Sequence, residues 1–168
     1  RGWIAHTAAY DRLETLLKRA VLLQSPTYDV IGVPPHQQGN RHGYLYHFVD
    51  NNGLRAFNNI EISTIDHALF VAGALVAAEY YKGTQLEALV RQLLQNTDWK
   101  WLYNGTVLYQ GWLEGSGPCS NGVFLENGCT LDQWNRYSEL MILLFLAMGS
   151  PDPAKAIPQS AWDNLSNG

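Results

Sequence analysis

Apolar residues recur at helical spacing in four stretches of the chain. From about Thr7 to Leu23, the residues Leu13, Leu16, Leu17, Ala20 and Val21 form one stripe, which predicts an amphipathic helix. From Thr64 to Tyr81 the pattern changes. The run Leu69-Phe70-Val71-Ala72-Gly73-Ala74-Leu75-Val76 is apolar on every side, which predicts a helix buried all round. A third helix is expected over Gln85 to Asn96, with Leu86, Leu89, Val90, Leu93 and Leu94 on one face and Thr84 and Glu87 at capping-box spacing. The fourth is expected from Leu131 to Met148, opening with Thr130 and Gln133 at the same spacing and stopping at Gly149 and Pro151.

Period-two segments lie between the helices. Tyr44 to Val49 alternates, turns at Asp50-Asn51-Asn52-Gly53 and returns through Leu54 to Ile60, which predicts a hairpin. A shorter hairpin is predicted around Asn104-Gly105. Between Gly111 and Gly128 the glycines read as one long loop of the kind that is functional or mobile. These elements together predict an all-α domain spanning residues 1–168, with short β-hairpin decorations.

Composition narrows the partners. Of 168 residues, 46% are hydrophobic and 15% charged, with a formal net charge of −4, so a sizeable core is expected and disorder is not. The basic residues form no run, which argues against a nucleic-acid partner. No stretch reaches the roughly 20 apolar residues of a membrane span. The chain opens at Arg1-Gly2-Trp3 without Met, as a processed or partial product does. Six Trp and nine Tyr either fill the core or stack on sugar rings, whose C–H faces are flat. Cys119 and Cys129 bracket one Gly- and Asn-rich segment. We read them as a disulfide and the compartment as periplasmic or extracellular, two free thiols being the alternative. His36, His42 and His47 lack metal-ligand spacing, and no cofactor or metal is expected.

The chemistry-bearing residues fall in two clusters. Asn59-Ile60-Glu61-Ile62-Ser63-Thr64-Ile65-Asp66 carries two carboxylates at the head of an apolar helix. Glycosidic cleavage usually needs two carboxyl groups, and apolar neighbours favour the protonated acid. The same residues also fit a simpler reading, in which Asp66 completes a cap on Ser63 and Glu61 pairs with Arg55 or Arg41. The second cluster, Trp134 to Glu139, contains Tyr137 and Glu139 on what the pattern makes a helix start.

These segments resemble the glycoamylase-like family of bacterial glycoside hydrolases, which includes endo-β-1,2-glucanases. Gly43-Tyr44-Leu45-Tyr46-His47-Phe48-Val49-Asp50, Glu61-Ile62-Ser63-Thr64-Ile65-Asp66, Tyr137-Ser138-Glu139 and Ser160-Ala161-Trp162 look like its ordered motifs. His67 stands where a small hydroxyl residue is more usual. The resemblance implies that the chain is a central part of an (α/α)6 toroid acting on β-linked glucans. It implies Glu61 as general acid, Asp66 and Glu139 as acidic residues binding sugar hydroxyls, and Tyr46, His47, Trp112 and Tyr137 about the pocket. A helix apolar all round in a partial toroid would need cover, so a homo-oligomer is expected. A non-catalytic carbohydrate-binding or oligomerising helical module is the alternative.

Overall fold

The computed structural model describes residues 4–25, 39–57, 59–115, 118–120, 122–136 and 138–165. Three long helices form its helical side: α1 (His6–Leu23), α2 (Thr64–Tyr80) and α3 (Gln85–Asn96). Helix α1 packs on α3, α3 on α2, and α2 on α4 (Leu140–Met148). A one-turn helix α5 (Ser160–Asp163) follows. Strands β1 (Asn40–Arg41) and β2 (Tyr44–Leu45) make a two-stranded ribbon. Strands β3 (Ile62–Ser63), β4 (Gly111–Glu114), β5 (Phe124–Leu125) and β6 (Gly128–Thr130) make an antiparallel sheet in the order β3-β4-β6-β5.

The fold is therefore mixed α/β, which corrects the all-α, partial-toroid expectation. The segment from Gly111 to Gly128 is not one long loop: it supplies β4 and β5 and leads into β6. Its glycines are what permit the sheet. A side chain at Gly111 would run into the Ile62 carbonyl across the β3–β4 pairing. One at Gly128 would run into the Trp112 indole, so the backbone lies flat on that ring.

The fourth helix is also shorter than its pattern. It begins at Leu140, not Leu131. The preceding residues bond to the sheet side instead: Leu131 N–H donates to Gly111 O at 2.8 Å and Trp134 N–H to Leu108 O at 2.8 Å. Thr130, read as a cap, is the last residue of β6. Tertiary strand pairing overrides a local capping signal here.

Both expected hairpins are rudimentary. The 50–53 turn closes, with Asp50 N–H donating to Leu54 O at 2.8 Å and a bridge between Val49 and Arg55. Tyr44 and Leu45, however, pair backwards with Asn40 and Arg41. The turn at 104–105 joins only one bridge, Tyr103 to Leu108.

Helix α2 is not buried all round, a second correction. Thr64, His67, Ala68, Val71, Ala74 and Ala78 are inside. Val76 and Tyr80 are each 71% exposed and Leu69 is 48% exposed. Helix α4 likewise buries Leu140, Leu143, Leu144 and Ala147 while Phe145 stays 56% exposed. Each helix has one partnered face and one apolar face in solvent.

A buried polar network ties the helices to the ribbon. Gln24 caps α1 and donates through Nε2 to Gly43 O at 2.6 Å and to Thr97 Oγ1 at 3.1 Å. Thr97 Oγ1 in turn lies 3.0 Å from His67 Nε2, and His67 Nδ1 accepts from Leu45 N–H at 3.3 Å. Accepting at Nδ1 leaves Nε2 as the protonated nitrogen. Burial lowers the His67 pKa from 6.5 to about 3, so the ring stays neutral. His67 thus has a structural role: it fastens β2 onto α2.

Candidate functional site

Glu61, Ser63 and Asp66 sit at the junction where β3 becomes α2. The junction is anchored from below. Thr64 Oγ1 donates toward Tyr109 O (3.0 Å) and Gln110 O (2.9 Å), and Trp134 Nε1 donates to Thr64 Oγ1 at 3.1 Å. Ser63 is the N-cap of α2: its Oγ accepts from Asp66 N–H at 3.3 Å, and its hydroxyl donates to Asp66 Oδ2. The cap reading of Asp66 is therefore correct, and it leaves the Asp66 carboxylate held in one place.

The segment after β2 crosses this junction. His47 N–H donates to Glu61 O at 3.0 Å, which sets the imidazole between the two carboxylates. Its Nδ1 lies 2.7 Å from Glu61 Oε1, a short hydrogen bond, and its Nε2 lies 3.5 Å from Asp66 Oδ2. Phe48 stacks on the ring at 4.2 Å. Glu61 pairs with neither arginine suggested by the sequence. Arg55 bonds Glu114 at 2.7 Å, and Arg41 reaches Glu126 at 3.4 Å. Side-chain exposures of 31% for Glu61, 30% for His47 and 44% for Asp66 leave all three reachable by solvent.

A hollow of about 220 Å³ opens beside them, lined by Tyr46, His47, Asp66, His67 and Phe70 among others. Tyr46 is itself buried, its ring under the Arg55 guanidinium at 5.1 Å. Burial raises its pKa, against the opposing hydrogen bond from Arg55, so the phenol stays neutral.

Other expected site residues lie elsewhere. Trp112 is fully buried, donates Nε1 to Leu125 O at 2.8 Å and is covered by Arg41 at 4.7 Å. Its faces are spent on the core, so it does not wall a pocket. Glu139 stands at the exposed N-terminus of α4, with no contact to Glu61, His47 or Asp66 among the described residues. Tyr137 lies outside the described residues. A disulfide joins Cys119, in the connection between β4 and β5, to Cys129 of β6. Among the described residues no group of three or more His, Cys, Asp or Glu side chains could hold a metal.

His47 as the bridge, and His67 as the buried fastener, were not singled out by the sequence for these roles. A histidine at an alternating hairpin position carries no periodicity signal of its own. Only the approach of His47 to Glu61, through its backbone N–H, reveals its partners. Comparison with known protein families, with curated proteins and with solved structures gives no match for this chain.

Proposed function

We propose that the chain is a glycoside hydrolase-like domain acting on β-linked glucans by general acid/base catalysis. The observation that carries this reading is the cluster of Glu61, His47 and Asp66, of which His47 and Asp66 line a hollow. The two contacts and the width of the imidazole set Glu61 Oε1 and Asp66 Oδ2 at most about 8 Å apart. That limit admits the inverting separation of roughly 6.5–9.5 Å and equally the retaining one of about 5–5.5 Å; we take the inverting reading.

Glu61 is the acid: it protonates the glycosidic oxygen as the bond to the anomeric carbon breaks. Asp66, fixed by Ser63, accepts the proton of the attacking water. His47 is a positioning residue. Its hydrogen bond fixes Glu61 while Ser63 fixes Asp66, so neither carboxylate reorganises when substrate arrives. Sequence resemblance at Glu61–Asp66 supports Glu61 as the acid, while it implies Asp66 as a residue binding sugar hydroxyls; the base role of Asp66 is argued from its position alone.

Glu61→Gln keeps the shape and removes the proton. We expect its glucan cleavage, read as new reducing ends, to fall by at least roughly a hundredfold with an unchanged circular dichroism spectrum. Turnover equal to wild type would remove Glu61 from the chemistry. The disulfide supports an oxidising, extracytoplasmic location.

The apolar outer faces of α2 and α4 support a homo-oligomer as the working state. Val76, Tyr80 and Phe145 are the residues to cover. Light scattering should then give at least twice the monomer mass, and Val76→Glu with Tyr80→Glu should return it to one chain. A wild-type monomer at high concentration overturns this.

A further inference from the structure

The large aromatic rings of this molecule divide by exposure. Trp99 and Trp112 are fully buried, and Trp101, Trp134 and Trp162 pack against the same core. These rings are spent inside. Two phenylalanines beside the candidate centre take the opposite course: Phe48 is 51% exposed and Phe57 is 63% exposed. Each forgoes the stabilisation that burying a phenyl ring brings.

The backbone sets where they stand. A bridge between Val49 and Arg55, and the bond from Ala56 N–H to Phe48 O at 3.0 Å, run the two segments antiparallel. The next position of that ladder places Phe57 opposite His47. On its other edge His47 donates its N–H to Glu61 O at 3.0 Å. Phe57, His47 and Glu61 thus form one row across three neighbouring segments, and opposed residues turn their side chains to a common face. The Phe57 carbonyl accepts from Arg55 Nε at 3.0 Å and from Ile60 N–H at 3.3 Å, which fixes the turn that delivers Glu61. Phe48 adds a second ring to the row. One of its faces lies on the His47 imidazole at 4.2 Å, 16° from parallel, so its exposure comes from the other face.

A flat, uncharged face in water beside two carboxylates suits a ligand that is apolar on its face and polar at its edge. A β-linked glucose ring has that form, with axial C–H bonds on its faces and hydroxyls around its rim. Stacking buries the C–H face while the hydroxyls keep their water, so the cost of stripping polar groups does not arise.

We propose that Phe48 and Phe57 are the sugar-stacking platform that holds a β-glucan chain next to Glu61 and His47. This rests on the hydrolase reading above. No bond forms or breaks at either ring. The platform contributes to binding and therefore acts on KM, not on the chemical step.

Steady-state cleavage of linear β-1,2-glucan, with the melting temperature of each variant measured alongside, tests the platform. Phe48→Leu and Phe57→Leu keep an apolar side chain and lose the flat face. Each should raise KM roughly threefold to tenfold with kcat within about twofold of wild type, whereas Phe48→Tyr and Phe57→Tyr should keep the wild-type KM. Phe124→Leu removes a ring on β5 that is 55% exposed and should leave KM unchanged. Wild-type KM in both leucine variants, with glucan still cleaved, overturns the platform alone. A fall in kcat at constant KM overturns it too, because Phe48 would then act only by propping His47. So does a rise in KM that Phe124→Leu matches, or one that follows a lowered melting temperature. A wild-type chain that releases no reducing ends overturns the hydrolase reading and this inference with it.

Discussion

Two histidines in this molecule stand between two carboxylates, and their surroundings set them to different work. His47 contacts Glu61 at 2.7 Å and Asp66 at 3.5 Å. His42 contacts Glu126 at 2.8 Å and Asp98 at 4.0 Å. Both rings stack on an aromatic neighbour, Phe48 at 4.2 Å and Trp101 at 4.5 Å. The difference is in what else touches them. Arg41 reaches both the carbonyl and the carboxylate of Glu126, and its other side covers Trp112. Partial burial pushes the Glu126 carboxyl up, but His42 and Arg41 outweigh it and hold it below the ordinary glutamate value.

The backbone is also strained there: His42 and Glu126 both lie at positive φ, 51° and 48°. This cluster clasps the β1–β2 turn to the β5–β6 turn. Around Glu61 no arginine or lysine neutralises the carboxylate among the described residues, and a hollow opens at the ring. Two similar constellations thus separate into a fastening and a candidate reaction centre. Cation pairing and access to a cavity decide which is which.

The sharpest way to break that distinction is to neutralise each glutamate in turn. Glu126→Gln should leave glucan cleavage within about twofold of wild type while Glu61→Gln loses at least roughly a hundredfold. Equal losses would make the clasp part of the reaction.

A smaller effect is expected at the bridge. His47→Gln should lower kcat by roughly tenfold to a hundredfold, since misplacing a catalytic group by an ångström can cost that much. KM and the thermal midpoint should change little. A change confined to KM or to melting would make His47 merely structural.

The smallest effect concerns stability. Because the folded Glu126 carboxyl titrates below its unfolded value, its contribution is present above the unfolded pKa and fades as pH falls through the folded one. Glu126→Gln should cost at most about 1 kcal/mol near pH 7, because the side chain is partly in solvent. In urea titrations that difference should vanish at acid pH. A constant difference across pH would show that charge is not the source.

Local pattern carried parts of this fold well. The stripes of α1 and α3 are legible because each helix buries one face, although Leu16 of the α1 stripe is 53% exposed, and Thr84 caps α3, accepting from Leu86 N–H at 3.3 Å rather than from Glu87. Ser63 and Asp66 could be read as a cap for the same reason: the partners lie three residues apart. Helices apolar all round misled, because such a run specifies a helix without saying which face finds a neighbour. The β4–β6 sheet was hidden since glycine has no β propensity. Its reason is remote, in the Ile62 carbonyl and the Trp112 ring.

What the sequence determined by itself was therefore local: the starts of α1, α2 and α3, turns at 50–53 and 104–105, and two carboxylates at the head of an apolar helix. What the tertiary structure alone decided was partnership across long separations. Imidazole contacts reach only about 3 Å, so nothing within the chain's local order says that His47 meets Glu61 and Asp66 while Trp112 turns inward. Pairing of β3 with β4, which needs glycine at 111, and the bond of His47 N–H to Glu61 O make that choice, through backbone hydrogen bonds that no local side-chain pattern announces.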